Sequence, residues 1–230
     1  MHIHVPKPLH GWREFAGEVG IIVIGVLIAL GAEQLIVANH WHHQVADYRQ
    51  ALRSEIAYDL GTHRYRIAEN RCVTARIDAL DQWLESWRRG QPIALSSPIG
   101  LPSSLSIYTG VWTSRNAELE SHMSLDERLT YSRLYDDFAN NEVHRLAERQ
   151  VWTALADYDH ATNLDHGDLM RLQGLITQAR LRQQRFTSNA EGYFAAASKL
   201  GIEPRSAPDW EPPLPDMCQP LLVRPNIPRR

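Results

Sequence analysis

A single apolar segment, residues 19–38, constrains the fold of this chain more than any other feature. Its sequence is VGIIVIGVLIALGAEQLIVA. A helix of that length, at about 1.5 Å rise per residue, is about 30 Å long and matches the hydrocarbon core of a bilayer. No second apolar segment of similar length follows it. The chain is therefore predicted to cross a membrane once.

Two other interpretations of this segment stay open. A cleaved signal peptide needs a small-residue cleavage site, whereas Gly31-Ala32 is followed at once by Glu33 and Gln34 without an A-x-A pattern. A buried core helix would suit the shorter uninterrupted run from Val19 to Ala32. Trp12 and Trp41 flank the segment as interfacial anchors do, and they favour the transmembrane helix.

One face of the predicted anchor is suited to helix association. Residues spaced by three or four positions share a side of a helix, and here they are Glu18, Ile22, Gly25, Ala29 and Ala32, with Glu33 close by. Gly25 and Ala29 form a small-xxx-small pair, which lets two backbones approach closely in lipid. The Glu33 carboxyl either meets a protein partner or lies at the interface, and both alternatives stay open.

Charge and cysteine content limit the function classes. Acidic and basic residues number 27 and 24 and are interspersed, so the chain has no basic stripe and nucleic acid is not an expected partner. Cys72 and Cys218 form no C-x-x-C motif. They could pair if the domain lies outside the cytoplasm, but two unpaired thiols are the favoured expectation.

Hydrophobic periodicity predicts an all-α fold. The transmembrane helix continues into a long helix that ends near residue 88, and two further long helices pack with it as an elongated helical bundle. The Ser124-to-Glu127 capping box starts the second of these helices, and Asn163 or Asp165 caps the third. The third carries a heptad seam over residues 169–200. The second helix has six buried candidates: Leu125, Leu129, Leu134, Phe138, Leu146 and Leu155.

Turn-forming residues predict the connections between the long helices. Residues 90–107 are predicted as a loop and residues 107–120 as a short helix. The predicted domains are a juxtamembrane segment (1–18), the transmembrane helix (19–38), a helical soluble domain (39–201) and a proline-rich tail (202–230). The tail is either extended over the domain surface or disordered. Five apolar residues would hold it to that surface: Trp210, Leu214, Leu221, Leu222 and Val223.

The segment from Phe15 to Leu30, with Gly17-Glu18 and the closing Leu-Ile-Ala-Leu, resembles the start of a family of uncharacterised single-pass bacterial membrane proteins. The segments 112–119 and 126–135 resemble a later block of the same family. The resemblance implies a membrane location and a helical soluble region. It implies no chemistry, because the family is a domain of unknown function.

No motif supplies a complete catalytic or metal site. His40, His42 and His43, with His2 and His4, are favoured as interfacial histidines over metal ligands, because no carboxylate or cysteine accompanies them. The cluster Asp157, Asp159, His160, Asp165, His166 and Asp168 is favoured as helix caps over a cation site. Trp83 and Trp87 are favoured as core packing over a ligand shelf. We expect no catalytic residue, metal or cofactor.

Three functions are compatible with these patterns. The first is a non-enzymatic inner-membrane protein with a periplasmic helical domain, which binds the bilayer and a protein partner or a second copy of itself. It would use the 169–200 seam and the small-residue face of the anchor. The second is a membrane-anchored sensor or ligand-binding module. The third, less favoured, is a metal-dependent enzyme.

Overall fold

The structure of the protein, a computed structural model, describes residues 11–104, 106–205 and 216–223, and about three quarters of them are helical. The helices are α1 (Trp12–Arg88), α2 (Gly110–Thr113), α3 (Ala117–Ser121), α4 (Leu125–Ala156) and α5 (His166–Lys199). Asp216–Cys218 forms a 3-10 turn, and one antiparallel bridge joins Leu95 to Leu222. No strand occurs in the described ranges, and the predicted all-α class is confirmed.

The described chain divides into two compact units. The first consists of residues 11–49 and 116–122, which are the N-terminal half of α1 and the short helix α3. The second consists of residues 50–104, 106–115, 123–205 and 216–223, which include the rest of α1 and helices α2, α4 and α5. Along the apolar part of α1, every side chain from Ile21 to His40 is exposed.

Two helices end where glycine permits a left-handed backbone. Gly90 has φ 69° after α1, and Gly201 has φ 65° after α5. At α1 the N–H of Gln91 donates to Ser86 O and that of Gly90 to Trp87 O, the paired bonds of a Schellman motif. The same pair of bonds recurs at Gly201, as the sequence predicts for both stops.

Side-chain caps fix the starts of α4 and α5. Ser124 Oγ accepts from Glu127 N at 3.3 Å. Asp165 and Asp168 form a full reciprocal capping box, with Asp165 Oδ1 accepting from Asp168 N and Asp168 Oδ2 from Asp165 N. Between the two predicted caps for α5, the structure therefore selects Asp165.

A heptad seam on each long helix builds the core of the second unit. Each seam has alternating three- and four-residue spacing and buried side chains. On α1 it comprises Leu52, Ile56, Asp59, His63, Arg66, Asn70, Val73, Ile77, Leu80 and Leu84. On α4 it includes Tyr131, Leu134, Phe138, Asn141, Glu148, Trp152 and Leu155. On α5 the buried members are Leu172, Ile176, Ala179, Phe186, Ala190, Tyr193 and Ala197.

The structure corrects two predictions in this region. Leu125, Leu129 and Leu146 were expected in the core, but they are 62%, 59% and 49% exposed. Leu129, for example, lies about 180° from Phe138 at 100° per residue, so both cannot face the bundle. The single short helix expected over 107–120 is two helices, α2 and α3.

The expectation of two unpaired thiols is wrong. Cys72 on α1 and Cys218 form a disulfide with a Cα–Cα distance of 4.7 Å. Residues 216–223 dock on the bundle, where Met217 and Leu221 are 2% and 3% exposed. Of the two alternatives for the tail, contact with the domain surface holds for Leu221 and Leu222. Val223 was expected to make the same contact but is 50% exposed, and Trp210 and Leu214 lie outside the described residues.

Candidate functional site

A polar layer interrupts the apolar core of the second unit. Midway along the α1 seam, four successive positions are Asp59, His63, Arg66 and Asn70, none more than 8% exposed. Asn141 and Glu148 supply buried polar groups from the α4 seam. Buried polar groups are costly unless they are hydrogen-bonded, so their partners decide what the layer can do.

Arg66 is the centre of this layer. Its Nη2 donates to Glu148 Oε1 at 2.6 Å and its Nη1 to Asn70 Oδ1 at 2.5 Å. Glu69 Oε2 lies 3.7 Å from Arg66 Nε, and the Phe186 ring lies 5.0 Å from the guanidinium carbon. Burial raises the pKa of the Glu148 carboxyl, and the nearby Arg66 opposes that rise. The guanidinium thus ties α1 to α4 and contacts α5.

His63 is buried among aromatic rings and lacks a full set of partners. The rings of Tyr193, Phe138 and Phe186 have centroids 5.0, 5.6 and 5.8 Å from the imidazole. Burial lowers the pKa of His63 to about 4, so the ring is neutral at pH 7. Its Nδ1 has no hydrogen-bond partner within the described part of the chain, and Nε2 lies 3.5 Å from Asn141 Nδ2.

A small cavity adjoins these groups. Its volume is about 20 Å³, and His63, Arg66, Asn141, Arg145 and Glu148 are among its lining residues. A polar cavity of that size has room for about one water molecule. His63 and Asn141 both line this cavity, and His63 Nδ1 and Asn141 Oδ1 find no partner among the described residues. The cavity is too small for an organic substrate.

Carboxylates of α1 bind the segment that follows it. This segment, called the strap below, comprises residues 91–104 and 106–109. Glu69 accepts from Ser103 N at 3.0 Å and Asp59 Oδ1 from Tyr108 N at 2.9 Å. Just beyond the strap, Glu55 accepts from Val111 N of α2 at 2.9 Å. The contacts run in reverse order along α1, so the strap lies antiparallel to the helix. Burial raises the pKa of Asp59 to about 7.

Arg76 holds both the strap and the docked tail. The guanidinium donates to Ser97 Oγ, Pro98 O, Asp216 O, Met217 O and Gln219 O at 2.9–3.3 Å. Five acceptors from two segments converge on this one side chain, which is 2% exposed. One turn earlier on α1, Cys72 forms the disulfide to Cys218. These contacts fasten residues 216–219 to α1.

The first unit contains the residues predicted for the membrane. Trp12 is 78% exposed, and all six residues of the predicted association face are exposed. Trp41 is half-buried because its ring stacks on His122, with centroids 4.4 Å apart and planes inclined by 19°. Their membrane and association roles stay predictions.

The tryptophan pair and the acidic cluster that the sequence suggested as candidates include residues that hold the fold together. Trp83 is 2% exposed and donates from Nε1 to Ile93 O, and its ring packs edge-on against Trp87. Asp159 Oδ1 accepts from Ile99 N, and Asp165 and Asp168 cap α5. Within the described ranges, no group of three or more potential ligand side chains converges as a metal site would require. His2 and His4 lie outside those ranges.

Sequence analysis missed the polar layer, although a signal for it exists. Leu52 and Ile56 begin a strict four-three spacing that Val73, Ile77 and Leu80 resume. Continuing that spacing between them gives positions 59, 63, 66 and 70, all polar. The continuity of the seam, more than residue type, predicts their burial.

The chain matches no protein-family model, no curated protein and no solved structure.

Proposed function

We propose that this chain is a non-enzymatic, single-pass inner-membrane protein whose helical domain binds another protein or a second copy of itself. The observation that carries the proposal is the N-terminal part of α1, which is long and apolar enough to cross a bilayer and has no buried residue in its most apolar window. A core helix of a soluble domain would instead be covered by its own chain. Membrane fractions that release the full chain at alkaline pH would contradict the anchor.

The disulfide supports a periplasmic position for the bundle. Disulfides persist in oxidising compartments and are rare in the cytosol. Cys72 and Cys218 are the only cysteines of the sequence, and they are paired. This placement puts the N-terminal end of the anchor inside the cell.

The anchor face supports association within the membrane. Gly25 has open space where a Cβ would lie, and Ala29 on the same face is exposed. Replacing both with leucine should separate two backbones that meet there. We expect the G25L/A29L variant to lose cross-linked dimers in membranes, whereas the control G20L/V23L keeps them. An unchanged cross-linking pattern in the first variant would exclude this face.

The second unit offers a different surface for a partner from the 169–200 seam that the sequence suggested. The 169–200 seam is buried inside the chain, so it is not available to a partner. Exposed apolar side chains lie instead on α4, where Leu125, Leu129, Val143 and Leu146 are 49–64% exposed. Exposed apolar groups of this kind are common at protein interfaces. We expect L125E/L129E to lose a cross-linked partner that the control L181E on α5 retains.

A membrane-anchored sensor is the second candidate, and the polar layer favours it. Arg66, Glu148 and His63 place charge and an incompletely satisfied imidazole at the centre of a helical bundle. A bundle with such a layer is less stable than one with an apolar core, so a small shift in that layer can bias its packing. An inorganic ion no larger than a water molecule that raises the melting temperature of wild type but not of N141L would support this role.

A further inference from the structure

A cleft between α4 and α5 in the second unit is lined by hydrogen-bond donors. Its volume is about 460 Å³, and among the described residues its lining includes no carboxylate. Helix α4 contributes His144, and α5 contributes Gln178, Leu181, Arg182, Gln184 and Arg185. Apart from Leu181, each of these side chains can donate at least one hydrogen bond, and the two guanidinium groups only donate.

The α5 side of the cleft is strongly cationic. Residues 169–190 contain four arginines and no acidic residue. One of the four, Arg180, forms ion pairs with Asp78 and Asp81 of α1 at 2.9 and 2.5 Å. Arg182 and Arg185 form no ion pair with any described residue, and Arg182 Nε has no hydrogen-bond partner there either. Both positive charges that line the cleft therefore lack a paired carboxylate.

The carboxylates of α4 on either side of His144 are already paired. Glu142 forms an ion pair with Arg145, and Glu148 forms one with Arg66 at 2.6 Å. Burial raises the pKa of the Glu148 carboxyl, Arg66 opposes that rise, and Arg182 opposes it more weakly. Neither carboxylate lines the cleft, so neither competes there with an external anion.

The spacing of the two arginines favours an anion with two charges. Residues three apart on a helix have Cβ atoms about 5–6 Å apart, and like charges at that spacing repel each other. A phosphate or sulfate group has two negative charges and several acceptor oxygens on one centre, whereas a carboxylate has a single charge. Guanidinium groups bind such oxygens through paired, charge-assisted hydrogen bonds.

We propose that Arg182 and Arg185 bind a tetrahedral dianion, a phosphate or sulfate group, with His144 and the glutamine amides as further donors. The site depends on neither the membrane anchor nor a protein partner. The cleft has the size of a site for a small organic molecule, and Leu181 adds an apolar side chain that is 61% exposed. The group can therefore be a free ion or part of an organic ester.

The test measures the melting temperature of the full chain in a maltoside detergent during titration with sodium phosphate or sodium sulfate, at constant pH and ionic strength. We expect both dianions to stabilise wild type more than acetate or chloride does. R182Q and R185Q should each need about tenfold more phosphate for half the shift, the factor for one charge-assisted hydrogen bond. The control R171Q removes an exposed arginine of α5 outside the cleft and should titrate like wild type.

A titration with phenyl phosphate distinguishes the two sources of the group. Tighter binding of the ester than of phosphate, lost in L181N, would support an organic ester as the ligand. Equal binding of the two would support the free ion.

Three results would overturn the site. Equal shifts with chloride or acetate would show general ionic stabilisation, and a loss in R171Q as large as in R182Q and R185Q would show a dependence on net charge alone. Unchanged titrations in both R182Q and R185Q would exclude the two arginines as ligands. Because Arg185 is exposed, R185Q keeps the test valid if R182Q fails to fold.

Discussion

Arg66 illustrates how one buried charge links three helices. Its guanidinium binds Glu148 on α4 and Asn70 on α1, and it lies over the Phe186 ring of α5. Removing one member of a buried pair leaves the other charge without compensation, which typically costs about 3–5 kcal/mol. Replacing both members with apolar groups typically costs less, because no charge then stays buried.

We therefore expect R66M to lower the free energy of unfolding by about 3–5 kcal/mol. Urea denaturation of the full chain in detergent, followed by near-UV circular dichroism, measures this loss. The double variant R66M/E148M should be more stable than R66M. The control R64M changes an exposed arginine two residues away and should change stability by less than about 0.5 kcal/mol. A loss in R66M no larger than the control would contradict the role of the pair.

Asp59 should make stability depend on pH. Burial raises its pKa to about 7 in the folded state, against about 4 for an unfolded aspartate. Between these values the folded protein keeps a proton that the unfolded chain has lost, so the Asp59 contribution falls as pH rises from about 4 to about 7. His63, with its pKa lowered to about 4, acts in the opposite direction below about pH 6.5.

The variant D59N isolates the first of these contributions. Its amide oxygen can still accept from Tyr108 N, but it does not titrate. We expect the stability of D59N relative to wild type to rise between pH 4 and pH 7, by an amount on the order of 4 kcal/mol, and to stay level above pH 7. The control D136N, on the exposed side of α4, should keep the wild-type pH profile. A pH-independent difference for D59N would show that Asp59 is ionised in the fold.

Among the elements, the strap depends on side chains far from it in sequence. Arg76 donates to two positions of the strap and three of the docked tail. Methionine has similar length but donates no hydrogen bond, so R76M leaves five acceptors without this donor. We expect chymotrypsin to cleave R76M faster than wild type within residues 91–109, at Tyr108 for example, under the same native conditions.

Two comparisons test this assignment. R76K retains the charge but only three donors, so its cleavage rate should lie between those of wild type and R76M. R71M removes an exposed arginine of the same helix and should leave the cleavage rate unchanged. Equal rates in R76M and wild type would show that the strap is held by its apolar contacts, such as buried Ile99, without Arg76.

The sequence predicts the helices well and their contacts poorly. Gly90, Gly201, Ser124 and Asp165 act locally, so the ends of three long helices follow from a few neighbouring residues. The exposure of Leu129 does not follow from its neighbours in sequence, because the buried face of α4 is set by helices that are distant in sequence. The same holds for Cys72 and Cys218, which lie 146 residues apart and meet only when residues 216–223 dock.

The whole molecule combines an exposed apolar helix segment with a covalently closed bundle. The N-terminal part of α1 has no buried residue in its most apolar window, and the disulfide joins α1 to the last described segment. The two cysteines are 146 residues apart. A cross-link over a loop of this length restricts the unfolded chain, and in the chain-entropy description it raises the free energy of unfolding by about 5 kcal/mol. The bundle should therefore be most stable on the side of the membrane where the disulfide persists.

Thiol labelling in whole cells tests this arrangement. If the bundle is periplasmic, Cys72 and Cys218 are oxidised, and a maleimide polymer should label the denatured chain only after reduction. The control C218S leaves Cys72 free, so it should take one label without reductant. Two labels on unreduced wild type would place the bundle in a reducing compartment and contradict the proposed orientation. Reduction itself should lower the melting temperature of wild type and leave C72S/C218S unchanged, because only the first protein has a disulfide to lose.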